Sequence, residues 1–167
     1  MELRRQVCRA LRDEHAATVA LLQRLEILLG RHDPRHAPDS ADPTVARLLK
    51  DFALAVETEI AAHFAFEEEA IFPALAESGE SEMVELLLEE HRAILPLARG
   101  LAAIARAAGT GGFSAESWSE FQLGAGELVE GLTSHIQKED MGMLPALDDI
   151  LDEAADQRLG LEMAERR

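Results

Sequence analysis

One stretch of sequence occurs twice in this chain, and each copy carries a histidine and a glutamate at His-x3-Glu spacing. HFAFEEEAIFPAL runs from His63 to Leu75, and HIQKEDMGMLPAL runs from His135 to Leu147. Both copies end in Pro-Ala-Leu. Residues at this spacing share one face of an α-helix, so each copy predicts a helix that presents an imidazole and a carboxylate side by side.

A shorter motif repeats at a similar separation along the chain. Asp13-Glu14-His15 returns as Glu89-Glu90-His91. The chain is therefore expected to contain two similar helical hairpins, each with two histidines and one glutamate of interest. Imidazoles and carboxylates that project into the core of a helical bundle form a ligand set suited to a pair of iron or manganese ions.

Four long amphipathic segments are separated by breaks rich in turn residues. The predicted helices cover about residues 2–30, 43–77, 82–108 and 115–144, and residues 145–161 form a candidate fifth helix. Asp42, Ser81 and Ser114 are predicted N-caps, and Phe113 has the spacing to Trp118 of a hydrophobic staple. Pro73 is predicted to bend or stop the second helix.

The short connections favour antiparallel neighbours. The expected fold is all-α: an antiparallel up-down-up-down four-helix bundle over residues 1–150, followed by a helical tail over 151–167 with room for a short C-terminal helix. Counting residues at about 1.5 Å of rise each from shared helix ends places His91 level with His135, and Glu67 level with His91. All six candidate residues are expected in one layer of the core.

Net charge, cysteine content and the absence of long apolar runs in the sequence limit the expected partners and compartment. The formal charge of −16 disfavours nucleic acids and anionic membranes. Cys8 is the only cysteine, so no internal disulfide can form. The first residues lack an apolar run of signal-peptide length, and no later stretch approaches the roughly 20 apolar residues of a membrane span. A cytoplasmic protein is the expectation.

The positions of the histidines carry more weight than their spacing, because His-x3-Glu pairs arise often in a glutamate-rich chain. Four histidines lie in apolar helical stripes, whereas His32 and His36 lie in the loop at 31–42. A lone core histidine is usually a hydrogen-bonded packing residue. A buried, unpaired glutamate is costly, so Glu67 and Glu139 call for either histidine ion pairs or metal cations. The metal site is favoured.

Two glutamates that each bridge both ions would give every metal two imidazoles and two carboxylate oxygens. Positions then remain for a bridging oxide, hydroxide or water and for an exogenous ligand such as O2, NO or peroxide. Zinc is less favoured, since a single structural zinc commonly takes four ligands including thiolates. Manganese is also less favoured than two iron ions.

These residues resemble the hemerythrin-like family with its HHE cation-binding domain, over about residues 11–147. The resemblance implies a di-iron site with bridging Glu67 and Glu139, and with terminal ligands at His15, His63, His91 and His135. Oxygen-carrying members have a fifth histidine on the third helix, where this chain has Leu87 and Leu95. Those carriers also bridge through an aspartate at the position of Asp140. The ligand set looks closer to HHE domains of iron-sulfur repair and iron-sensing proteins.

Residues beside the candidate ligands have weaker indications. Glu59 could hydrogen-bond His63, fill a vacant metal position or simply be solvated. Asp140 is a candidate for an outer position or an alternate bridge. Glu14 and Glu90 point about 100° away from the neighbouring histidines and are predicted at the surface. Cys8 is predicted to be a small packing residue.

Four functions are consistent with this pattern. The leading one is a non-haem di-iron protein that binds or senses O2, NO or peroxide. A di-iron oxidoreductase for peroxide disproportionation or NO reduction is the alternative, together with iron storage or delivery, including iron-sulfur repair. A metal-free helical interaction module is the fourth. The sequence leaves open whether the protein is an enzyme, and which oligomer it forms.

Overall fold

The chain folds into four long helical rods and a shorter C-terminal helix, in a computed structural model that describes residues 2–166. No strand occurs in that range, which confirms the all-α prediction. The α-helices are α1 (Gln6–Arg31), α2 (Pro43–Ala55), α3 (Ala61–Phe66), α4 (Phe72–Glu77), α5 (Ser81–Gly111), α6 (Ala115–Lys138), α7 (Leu144–Ile150) and α8 (Glu153–Glu165). Helix α2 packs on α5, α5 on α6, and α6 on α1, as in a four-helix bundle.

Three π-helical segments interrupt the second and fourth rods. Val56–Ile60 and Glu67–Ile71 join α2, α3 and α4 into one rod, and Glu139–Met143 joins α6 to α7. Pro73 therefore does not stop the second rod, which continues to Glu77. In both copies of the repeat a π segment lies between the glutamate and the proline. A widened turn accommodates a residue that cannot donate the ordinary helical hydrogen bond.

The helix starts follow the sequence closely. The Asp42 side chain accepts hydrogen bonds from the backbone N–H groups of Thr44 and Val45, at 2.8 and 3.3 Å, as an N-cap should. Ser114 forms a capping box with Ser117. The rings of Phe113 and Trp118 lie 5.1 Å apart between centroids, as the predicted staple requires.

One predicted cap is wrong. Ser81 is the first residue of α5, and Glu80 occupies the N-cap position without a side-chain capping bond.

A layer of buried polar residues divides the apolar core in two. One apolar cluster includes Leu25, Phe52 and Phe121. The other lies toward the chain termini and includes Leu11 and Leu75. Each long rod contributes apolar side chains to both clusters, so the polar residues between them are held by packing on two sides.

The C-terminal segment closes one end of the bundle. The predicted short C-terminal helix is present as α8, but the expected bounds of 145–161 are wrong, because α7 ends at Ile150 and α8 begins at Glu153. The Asp156 side chain in α8 accepts hydrogen bonds from the backbone N–H groups of Gln6 and Val7, at 2.8 and 2.9 Å, and so caps α1. Within residues 2–166, no helix has the length and apolar character to cross a bilayer.

Candidate metal centre

Six side chains meet in the polar layer between the two apolar clusters. Their helices are α1 for His15, α3 for His63, α5 for His91 and α6 for His135, while Glu67 and Glu139 each open a π segment. Five of the six are buried, and the His63 side chain keeps about 10% of its surface exposed. The structure therefore brings together all six residues that the sequence singled out.

The six residues form two groups that share both glutamates. In the first half, the Nε2 atoms of His15 and His63 lie 3.1 Å apart. In the second half, the Nε2 atoms of His91 and His135 also lie 3.1 Å apart. Each half can therefore present two imidazole nitrogens to one point.

Each glutamate gives one oxygen to each half. Oε1 of Glu67 lies 3.1 Å from Nε2 of His63, and its Oε2 lies 3.4 Å from Nε2 of His91. Oε1 of Glu139 lies 3.1 Å from Nε2 of His135, and its Oε2 lies 3.2 Å from Nε2 of His15. Both carboxylates thus span the two halves, which is the arrangement of a bridging ligand.

An outer carboxylate holds the far side of every imidazole. The Nδ1–H groups of the four histidines donate to acidic oxygens at 2.7 to 2.9 Å, in the pairs His15–Asp140, His63–Glu14, His91–Glu68 and His135–Glu90. Because an ionised carboxylate only accepts hydrogen bonds, these contacts place the ring proton on Nδ1. The Nε2 lone pairs then point inward, toward the glutamates and toward each other.

The atoms that face inward in this layer are all electron-rich. The four oxygens of Glu67 and Glu139 are buried, and none receives a hydrogen bond from the residues that the structure describes. With the ring protons on Nδ1, every short contact inside the layer joins two electron-rich atoms. Ligands at right angles on a metal, each about 2.1 Å from it, lie about 3.0 Å apart, close to the contacts within each half. The donor set therefore fits one cation in each half.

Protons on the histidines are the alternative source of positive charge, and the pKa values of three histidines are raised. Burial would lower the pKa of His15, but the nearby carboxylates of Asp140 and Glu139 outweigh it and raise the pKa to about 9. Burial is likewise outweighed at His63, chiefly by the negative charge of Glu67, and at His135, chiefly by the adjacent carboxylate of Glu139, so both pKa values are raised. Two buried carboxylates thus attract cations, whether protons or metal ions.

The two halves differ in their access to solvent. A cavity of about 420 Å³ reaches His15, His63 and Glu139, and His91 and His135 are not among its lining residues. The second half is walled by aromatic rings instead. Phe64 stacks on His91 with centroids 3.6 Å apart, and Phe72 lies 5.4 Å from the same ring. An incoming molecule can therefore reach the first half through this cavity, while the second half is covered.

Sequence reasoning misplaced two outer carboxylates. Glu14 and Glu90 were predicted at the surface, but both are partly buried and bond a histidine of the next rod. The sequence analysis makes no prediction for Glu68. The internal repeat could have indicated its outer position, since Glu68 follows Glu67 as Asp140 follows Glu139. Asp140 takes the outer position, with its carboxylate 2.7 Å from Nδ1 of His15.

The remaining candidates lie away from the centre or at its edge. Glu59 is exposed and lines the cavity. Cys8 is buried, and burial raises the pKa of its thiol to about 12, which fits the predicted packing role. The ring of His32 lies 6.1 Å from that of Trp118, and His36 bonds Asp33 in the loop.

Comparison with known families accounts for this architecture. Residues 7–147 match the hemerythrin family, described as the hemerythrin HHE cation binding domain. A search of curated proteins gave no match. The matched range contains all six side chains of the two halves and covers most of the bundle. The chain therefore belongs to the hemerythrin family.

Proposed function

We propose that this protein binds two iron ions through His15, His63, Glu67, His91, His135 and Glu139, and that it binds or senses O2, NO or peroxide at the first half. The observation that carries the proposal is the pair of buried glutamates, whose four oxygens lack hydrogen-bond donors within the described part of the chain. Both glutamates span two groups of inward-facing imidazoles. Such a cluster of electron-rich atoms is most simply neutralised by a metal pair.

Different residues would have different roles in holding such a metal pair. The two glutamates link the halves, and the outer carboxylates fix each imidazole so that its Nε2 faces inward. The aromatic wall of Phe64 and Phe72 keeps the second half dry and closed. Bound iron would supply redox chemistry and an exchangeable coordination position. The cavity beside His15 and His63 would deliver the ligand to that position.

Binding or sensing is favoured over dedicated oxygen transport. On α5, the positions one turn to either side of His91 hold Leu87 and Leu95, and Leu87 is buried in the core. Each half therefore has two imidazoles, and neither acquires a third.

Metal analysis with optical spectroscopy tests this proposal. Protein produced with ample iron should contain two irons per chain, one for each group. Its spectrum should change on addition of O2, NO or peroxide. His63→Ala should lose iron, and His36→Ala, which removes a loop histidine, should keep it. Protein without transition metal, combined with an unchanged stability of His63→Ala, would refute the proposal.

The same preparation separates the alternatives. Many turnovers of peroxide or NO with intact metal would identify an oxidoreductase, whereas a single stoichiometric reaction supports a binding protein. Transfer of iron to an apo acceptor protein would identify storage or delivery.

A further inference from the structure

The cavity beside the first half is much larger than a diatomic molecule needs. It encloses about 420 Å³, whereas a water molecule takes up about 30 Å³ of the liquid. Pockets for small organic ligands begin at about 300 Å³. The space that reaches His15 and His63 is thus suited to a molecule several times the size of the gases considered above.

Much of the cavity lining is apolar. The apolar side chains of Ile60, Phe64, Phe66, Leu132, Ile136 and Met163 contribute to it. His15, His63 and Glu139 of the polar layer also line it. An apolar body with a donor atom at one end would match this distribution of surface.

The charged groups around the cavity disfavour an anion. Glu14 and Glu59 both line it. Among the residues 2–166 that line it, Arg166 is the one arginine, and its guanidinium is already paired with Glu69 at 2.9 Å and Glu162 at 2.7 Å. It also lies over the ring of Phe66, 5.5 Å from the centroid. Glu14 already accepts a hydrogen bond from His63, so the exposed Glu59 is the acid that a carboxylate ligand would meet, and the side chains at the cavity favour a neutral molecule.

The internal repeat explains why only one half has this space. When the two copies are aligned on His63 and His135, the counterpart of Phe64 is Ile136. Phe64 fills the region over His91 by stacking on it. Ile136 is smaller and has no flat ring to stack, so the equivalent region beside His15 stays open and Ile136 becomes part of the cavity wall.

We propose that this cavity binds a neutral, largely apolar organic molecule with one oxygen or nitrogen donor atom, and places that atom against His15 and His63. The inference deepens the proposed function, and the metal-facing role of the donor rests on it. The diatomic ligand or peroxide would then share the first half with an organic co-ligand or substrate.

Calorimetry with two probes of matched length tests the proposal on the full chain. We expect 1-hexanol to bind the iron-loaded protein, and 1,6-hexanediol to bind at least roughly tenfold more weakly because its second hydroxyl would lose water against the apolar lining. Ile136→Phe should abolish hexanol binding by filling the cavity. Ala17→Phe should do the same from α1, since Ala17 also lines the cavity. Ala20→Phe is the matched control, an exposed alanine of the same helix outside the lining, and should bind normally.

The outcomes separate this inference from the iron site. Iron-loaded protein that binds neither probe, or binds both equally, would overturn the cavity proposal and leave the di-iron proposal standing. Hexanol binding that survives both Ile136→Phe and Ala17→Phe would overturn it too, since the probe would then sit elsewhere. If the protein takes up no iron but hexanol still binds in a cavity-dependent way, the organic site stands and the di-iron proposal fails.

Discussion

The two halves of the centre offer the same donor atoms in different surroundings. Each has two imidazoles with Nε2 atoms 3.1 Å apart and one oxygen from each glutamate. The first half opens on a cavity of about 420 Å³, whereas Phe64 and Phe72 wall the second. The two copies of the repeat thus keep the same donor residues but differ in the residue that follows the histidine, which is Phe64 in one copy and Ile136 in the other.

Removing a glutamate should have the largest effect, because each one serves both halves. In Glu67→Gln we expect the iron content to fall from about two per chain to near zero, since the buried negative charge that offsets the cations is lost. His15→Ala removes a donor from the first half alone and should retain iron in the second. Elemental analysis of both variants checks this. Full iron in Glu67→Gln would contradict a bridging role.

The outer carboxylates should act on one half at a time. Asp140→Asn loosens His15 in the first half, and Glu68→Gln loosens His91 in the second. Each should weaken iron binding by about tenfold to hundredfold at its own half, as measured by competition with a chelator. Glu69→Gln is the control, because Glu69 pairs with Arg166 rather than with a histidine. Equal losses in all three variants would show that the effect is one of surface charge.

Replacing Phe64 of the aromatic wall should make the two halves more alike in their access to an incoming ligand. Phe64→Ile gives the second half the residue that the first half has at Ile136, and should open a path to His91. We expect a second exogenous ligand per iron pair, with a loss of about 1 to 2 kcal/mol in unfolding free energy from the missing ring contacts. Ligand titration and chemical denaturation measure the two effects. An unchanged ligand count would show that Phe64 is not the barrier.

Asp148 provides a reference far from both halves. Burial would raise the pKa of Asp148, but hydrogen bonds from Arg5 and Arg4 outweigh it and hold the pKa below its usual 3.8. A carboxyl with a lowered folded-state pKa stabilises the fold above its unfolded pKa, and this stabilisation is lost as the pH falls through the lowered value.

Asp148→Asn should therefore cost about 1 kcal/mol at neutral pH and reduce the loss of stability in acid below about pH 4. Denaturation curves at several pH values check this, with iron content as the control. A change in iron content would mean that the bundle end and the centre are coupled.

The sequence predicted that the six candidate residues lie in one layer, because helical periodicity and distance from a helix end can both be counted along the chain. His15, His91 and their partners fall on apolar stripes that can be counted. The outer carboxylates were harder, since Glu14 points away from its own helix's stripe and reaches the histidine of the next rod. Interhelical reach depends on rod spacing and rotation, which periodicity does not contain.

The π segments and the cavity could not be predicted from the sequence. Pro73 signalled a disturbance in the helix, but the choice between a stop and a widened turn depends on tertiary packing around Glu67. The cavity depends on which side chains face each other across the bundle. The sequence shows that Phe64 and Ile136 occupy equivalent positions in the two copies of the repeat. Only the packing shows that Phe64 stacks on His91 while Ile136 lines the cavity.

A titration of the reduced, iron-loaded protein with NO tests the central claim most directly, because it counts open halves. With two irons bound and one half facing the cavity, we predict saturation at one NO for every two irons and loss of binding in Ile136→Phe with iron content unchanged. Saturation at one NO per iron, or no NO binding by protein that holds two irons, would contradict a metal pair with a single open half.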